Sequence, residues 1–428
     1  VIAFVYFHLN KTTEPQRMKR RLPLLLAITS LVLTAGISRT LQIPAKQSAT
    51  APVVIPFDQV NKHIVLKTKV NNSRPLSFVL DTGDKFAIIN LDRAKELGLE
   101  LHGAVRMGGA GAALSMGAFV KNASFTLDGF EGFTQPITMA LPIGSLSSRM
   151  GRDFDGILGS DFIQEFVVEL DYLAGVIRLH NKEKFSYSGP GESIPIELNH
   201  GHPLLVAEVT PQGRQPLKGK FVLDIGAGLA LALYSPFVNQ NNLLGPDSKT
   251  IKALSGAGAG GETSGRLGRV TELKIGRFKV ADPLTLFSQD KAGAFASPSL
   301  AGNIGALIAR RFRVFLDYQR SRIILEPNEK FGDPFDRALP GMSVVAEGKD
   351  YKTFRIREVL EGSAAARAGF AVNDVILSID GKDVAGLTLS RINELFEKPI
   401  TYKLVVKRGE ETKSLPLTPR RLEELVSN

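Results

Sequence analysis

The sequence predicts a mainly β body built from two similar lobes, each a small barrel, with a small α+β domain behind them. Three observations carry this prediction. The segment Phe-Val-Leu-Asp occurs twice, ending at Asp81 and at Asp224. Behind each copy a second landmark returns: Gly159 leads to Phe166 and Leu170-Asp171-Tyr172, and Gly305 leads to Phe312 and Leu316-Asp317-Tyr318. After residue 338 the pattern changes, and Leu389, Ile392, Leu395 and Phe396 recur at helical spacing between strand-like runs. A repeat of this kind marks a duplicated structural unit.

At the start of the chain, Met18-Lys19-Arg20-Arg21 precedes an apolar run from Leu22 to Ala35 and the small residues Gly36 and Ser38. A basic start, a short apolar run and small residues beyond it are the features of a secretory signal peptide. The run is shorter than the roughly 20 residues that a membrane span requires; an uncleaved membrane anchor is the alternative. Residues 1–50 are therefore read as export segment and linker. The body is expected outside the cytoplasm, in the periplasm or cell envelope, touching a membrane only through such an anchor.

Most of the net charge of +10 lies in this segment, where seven Lys and Arg residues face Glu14 alone. Elsewhere charges of both signs are interleaved and no basic arm carries stacking aromatics, so no nucleic-acid partner is expected. The chain has no Cys, which excludes disulfides, thiolate zinc sites and cysteine nucleophiles.

The first lobe is placed at 52–185 and the second at 186–328. Alternating apolar residues lead to each aspartate, Ile64, Leu66 and Val70 in one case and Leu205, Ala207 and Val209 in the other. Between the landmarks lie Gly-rich hairpin candidates, Gly108 to Gly111 and Gly256 to Gly261. The second matches a dinucleotide-binding glycine pattern, but Glu262-Thr263-Ser264-Gly265 follows in place of a helix, so that reading is rejected. Pro327, Pro334 and Pro340 mark a linker. The last domain, at 338–420, is expected to hold strands at Phe354 to Val359, Val375 to Ile379 and Tyr402 to Val406, with helices at Ala364 to Ala368 and Leu387 to Glu397. His200-Gly201-His202 lacks a third ligand and reads as a loop. No Gly-x-Ser-x-Gly elbow and no His-Glu-x-x-His occur.

One Asp-Thr-Gly is weak evidence, but two Asp-x-Gly loops at the ends of matching apolar strands are strong. A strand end holds a carboxylate rigidly, and glycine lets the chain turn away. The two units resemble the lobes of the pepsin and retropepsin aspartic proteases, which implies a bilobal, pepsin-like double-barrel acid protease body. By that resemblance Asp81 and Asp224 are the catalytic pair, and Thr82, Gly83, Ile225 and Gly226 complete the active-site loops. Ile157-Leu158-Gly159 and Asn303-Ile304-Gly305 would pack beneath them. Gly108, Gly109 and Gly111 would form the flap over a bound peptide. The implied chemistry is peptide-bond hydrolysis by a shared carboxyl pair and an activated water, with no metal or cofactor.

Two departures stand out. Ile225 lacks the hydroxyl usual after the second Asp. Asp84 and Ala227 replace the hydroxyl residues expected two positions further on. Asp84 brings a third carboxylate, with Lys85 as its candidate partner. A lost donor and an added negative charge both raise carboxylate pKa values, so activity is expected at mildly acidic to neutral pH.

Residues 338 to 420 resemble a bacterial-type PDZ domain, on Gly341-Met342-Ser343-Val344, Glu361-Gly362-Ser363-Ala364, Asn373-Asp374-Val375-Ile376 and Ile379-Asp380-Gly381. The resemblance implies that a peptide, such as a protein C-terminus, adds as a strand beside Gly341, Met342, Ser343 and Val344. The whole chain then reads as an exported aspartic endopeptidase with peptide or protein substrates. The alternative is a catalytically degenerate scaffold that binds peptides.

Overall fold

The computed structural model describes residues 51–426 apart from Ala259. The expected export segment lies outside the described residues. Among the described residues no helix is long and apolar enough to cross a membrane.

Each lobe is organised around the strand that ends at its aspartate. In the first, Leu76–Leu80 lies between His63–Val70, antiparallel, and Gly156–Leu158, parallel; Ile88–Asn90 and Phe130–Leu141 follow. In the second, Leu217–Asp224 lies between His202–Thr210 and Gly302–Gly305, followed by Leu231–Leu233 and Leu284–Ser288, with the same sense at each step. The first sheet closes on itself through His63–Val70 and Leu114–Leu127. The second has the equivalent pairing, His202–Thr210 with Glu272–Ile275, the strand that follows Gly265–Arg269 in the chain.

The duplicated Phe-Val-Leu explains why these strands are fixed. Phe78 and Leu80, like Phe221 and Leu223, enter one apolar core that runs through both lobes. Val79 points the other way, into a cluster with Ile88, Met139 and Phe154, and Val222 into one with Tyr234 and Phe295. A strand covered on both faces loses the alternation of a half-buried one and reads as a continuous apolar run. The expected alternation before Asp81 places Ile64, Leu66 and Val70 in the common core with Lys67 and Lys69 exposed, and Val65, buried on the opposite face, departs from it.

A six-stranded sheet joins the lobes. Val167–Asp171 of the first pairs antiparallel with Phe312–Asp317 of the second, so the two Leu-Asp-Tyr landmarks end adjacent strands that run in opposite directions. Glu169 is buried in this sheet and receives Arg178 (Nη1, 2.6 Å), His180 (Nε2, 2.7 Å) and, from the second lobe, Arg313 (Nε, 2.7 Å). Burial alone would raise its pKa; bonds from His180 and Arg313 outweigh it and pull the group down to about 2.

The last domain is a strand order Met342–Glu347, Thr353–Val359, Val375–Ile379, Tyr402–Arg408, Glu411–Leu417, around its own core. Its main helix, Leu389–Phe396, is capped by Thr388, which accepts from the Arg391 N–H. The proline-marked segment before it is strapped to the second lobe. Arg311 donates to the carbonyls of Lys330, Phe331 and Asp333 and lies 3.7 Å from the Phe335 ring centre.

Glu169→Gln is expected to destabilise the protein by about 2 kcal/mol at pH 7. That is less than the ~3–5 kcal/mol for breaking a fully enclosed pair, because the arginines keep contact with water. The carboxylate's contribution is present above its ordinary pKa of 4.5 and is lost as pH falls from there to about 2. Denaturant titrations of both proteins should therefore converge towards pH 2, and a pH-independent gap would contradict this.

Candidate active site

Asp81 and Asp224 meet at the lobe boundary, and both are wholly buried. Glycine makes this possible. A Cβ on Gly83 would come within 2.8 Å of the Asp224 carboxyl, and one on Gly226 would overlap the carboxyl of Asp81. Each loop lies against the other lobe's aspartate.

The donors around the two groups differ. Asp81 accepts from the Gly83 N–H at 2.7 Å and from the Gly226 N–H. Asp224 accepts from the Asn303 side chain at 2.7 Å, and Asn303 in turn accepts from the Tyr234 hydroxyl. Asn303, where the first lobe has Ile157, thus supplies a donor. Asp81 Oδ2 and Asp224 Oδ1 have no donor from any other residue, and the two carboxyls hydrogen-bond each other. Burial raises Asp81 to about 6, offset in part by its backbone donors. Burial and the neighbouring charge of Asp81 hold Asp224 well above the carboxylate range. The pair therefore keeps one proton, favoured on Asp224, because Asp81 has two backbone N–H groups to steady its charge.

Thr82 ties the loops together. Its hydroxyl donates to the Leu223 carbonyl at 2.5 Å and accepts from the Ile225 N–H at 3.0 Å. Ile225 cannot reciprocate. Two histidines also cross the boundary, His63, which the sequence did not single out, and His202 of the expected loop. His63 lies against the Gly226 backbone and His202 against the Thr82 backbone, each placed to turn a ring N–H toward the carbonyl. His200-Gly201-His202 is thus a tight hairpin turn whose last residue begins a strand and is buried, not a simple loop.

Asp84 is buried with neither carboxyl oxygen partnered. Lys85 does not pair with it; its ammonium lies 4.8 Å from the centre of the Phe86 ring. Burial first, then Asp81 and Asp161, raises the Asp84 pKa well above the usual range, so it stands neutral.

The two glycine-rich hairpins clasp each other. Gly109, Ala110 and Gly111 form the tip between His102–Gly108 and Leu114–Leu127. Ala113 N–H donates to the Gly260 carbonyl (2.8 Å), and Gly260 N–H to the Ala110 carbonyl (2.9 Å). Gly111, with φ of +97°, leaves no room for a Cβ against Gly260. Ala294 N–H reaches the Gly109 carbonyl at 3.2 Å, and Ala110 is buried against Tyr234 and Phe295.

Met342, Ser343 and Val344 lie on the edge strand of the last domain, just after Gly341, and face the body. Asn61, in a first-lobe turn, donates its N–H to Ser390 Oγ and accepts from Ser390 Oγ and Asn393 Nδ2 on the helix Leu389–Phe396. Lys62 pairs with Glu397 at 2.5 Å. A cavity of about 480 Å³ runs from Met342–Val345 past Lys62 and Arg310 to His63 and Gly228.

Comparison with known proteins agrees with both halves of this description. Residues 66–162, which include Asp81, match the family model for an aspartyl protease, and residues 355–399 match that for a PDZ domain. A stretch of 68 residues is 37% identical to serine protease HTRA1 of Xenopus laevis, covering 16% of this chain and 14% of that protein. The chain therefore carries an aspartyl-protease-like domain and a C-terminal PDZ domain on a β-rich, double-barrel body.

Asp84 and its neighbours fix the sign of a stability profile. A carboxyl whose folded pKa is raised keeps a proton that the unfolded chain loses above pH ~4, so stability falls as pH rises. Asp84→Asn should flatten the fall in unfolding free energy as pH rises above ~4, by up to ~1.4 kcal/mol per pH unit for as long as the folded carboxyl keeps its proton. Parallel profiles for the two proteins would show that Asp84 is ionised in the folded state.

Proposed function

We propose that this protein is an aspartic endopeptidase in which Asp81 and Asp224 share one proton and activate a water. The observation that supports it most is the buried, adjacent carboxyl pair, in which Asp81 Oδ2 and Asp224 Oδ1 have no donor from any other residue. Asp81, the better-solvated anion by virtue of its backbone donors, takes a proton from the water. The water oxygen attacks the peptide carbonyl carbon while Asp224 gives its proton to the carbonyl oxygen. The resulting diol collapses as a proton reaches the amide nitrogen and the C–N bond breaks.

The clasped hairpins and the PDZ domain take roles in the same reading. The clasp parts to admit an extended peptide, then closes to exclude water. The PDZ edge strand positions a protein substrate, such as its C-terminus, along the cavity that leads from Met342–Val345 to Gly228. Export to the periplasm or cell envelope is part of this proposal and rests on residues 18 to 38. A catalytically silent scaffold that binds peptides is the second reading, favoured by Ile225 and by the closed clasp.

Asp81→Asn and Asp224→Asn should each lower cleavage of unstructured protein or peptide substrates by at least about 100-fold. A statine-type inhibitor should block the wild type, and serine-directed reagents should leave it unaffected. Asp81 at about 6 places the rising limb of the pH–rate profile near pH 6. A maximum at pH 2 to 3 would contradict the assigned protonation, and statine binding without cleavage over pH 3 to 8 would select the scaffold.

A further inference from the structure

The two histidines at the lobe boundary occupy equivalent places in the duplication. His63 follows the two-residue turn Asn61-Lys62, and His202 follows His200-Gly201. Val60 faces His63 across one turn and Asn199 faces His202 across the other. All four turn residues have positive φ (45°, 76°, 51° and 91°), the geometry of the tight hairpin turn that matches strand twist. Each histidine then opens the strand that pairs with its own lobe's aspartate strand.

Their side chains reach the other way. His63 reaches from the first lobe to the carbonyl of Gly226 in the second lobe's loop, and His202 from the second to the carbonyl of Thr82 in the first. The turns seat equally across the boundary. A Cβ on Gly228 would lie 3.4 Å from the Asn61 carbonyl and from His63 Nε2, and one on Gly201 would lie 3.1 Å from Lys85. Residues 85 and 228 stand four places after Asp81 and Asp224 respectively.

We propose that His63 and His202 are paired positioning residues that hold the two Asp-x-Gly loops in register across the lobes and replace the bonds Ile225 cannot make. Thr82 supplies one side of the cross-lobe grip. A hydroxyl at 225 would supply the other; here two ring N–H groups anchor the loop carbonyls instead. Both rings are nearly buried, at 7% and 5% exposure. Burial keeps both neutral, down to about 3 for His63 and about 4 for His202. Each ring therefore donates through a single N–H over the pH range in which Asp81 ionises.

The activity arm rests on the reading of Asp81 and Asp224 as the catalytic pair; the other arms do not. His63→Leu and His202→Leu should each lower kcat about tenfold with little change in KM, the effect of losing one buried hydrogen bond in a preorganised site. His63→Gln and His202→Gln, which keep an N–H donor, should recover most of it. Ile225→Thr should raise kcat of His202→Leu more than that of the wild type. In the wild type, nitrogen NMR should find His63 and His202 as neutral Nε2–H rings from pH 5 to 8. Amide exchange at Gly83 and Gly226 should quicken in the Leu variants more than in the Gln variants. Equal losses in Leu and Gln variants, no rescue by Ile225→Thr, or a ring titrating near pH 6.5 would each overturn the proposal. A wild type with no peptidase activity would refute the catalytic reading, and the ring and exchange measurements would still judge the histidines. Where a Leu variant does not fold, the Gln variant and the wild-type spectra decide.

Discussion

Two buried carboxyl groups meet between the lobes, and the rest of the molecule is arranged around holding them there. Neither could sit in place if residue 83 or residue 226 carried a side chain, since each loop presses on the opposite aspartate. Buried and adjacent, the pair cannot ionise fully without a large electrostatic cost. It retains a proton, and that proton is the source of any acid–base chemistry. Such an arrangement tolerates little movement. The strands behind both aspartates are accordingly packed on both faces, and the lobes are joined by a common sheet with a charged cluster at Glu169.

The duplication was legible because the residues that maintain it are apolar and consecutive. Phe-Val-Leu-Asp announces a strand covered on both sides, and the Leu-Asp-Tyr landmarks announce the strands that meet between lobes. The last domain's strand Val375–Ile379 and helix Leu389–Phe396 were also readable from spacing alone. What escaped were polar contacts made across the lobe boundary, because their partners lie far apart in the chain. Asn303, a polar residue where the first lobe has Ile157, is a donor to Asp224. Lys85 looked like a partner for Asp84 by adjacency, yet the chain turns it onto Phe86. His63 and His202 could have been found by extending the alignment of the repeat a few residues before each strand, where the turns and histidines coincide. The clasp between Gly111 and Gly260 left only a glycine signal, which cannot say what backbone comes close.

The two halves are similar but unequal, and the inequalities fall where a division of labour requires them. Symmetric surroundings would place the shared proton on either aspartate alike. Here the second lobe carries Asn303 where the first has Ile157, and Ile225 where the first has Thr82, so the donors to the two carboxyls differ in kind and number. The third carboxyl, Asp84, stands opposite Ala227 in the repeat, adding a buried acid to one side only. The same break in symmetry decides where the PDZ domain rests. The first-lobe turn offers Asn61 and Lys62 to Ser390, Asn393 and Glu397, whereas the equivalent Gly201 has no side chain to offer and lies against Lys85. One short turn therefore carries, in three consecutive residues, the contact to the PDZ helix, the ion pair beside it and the histidine that reaches the Gly226 carbonyl. The contact to the PDZ domain and the contact to the loop of the second aspartate are therefore neighbours in the chain.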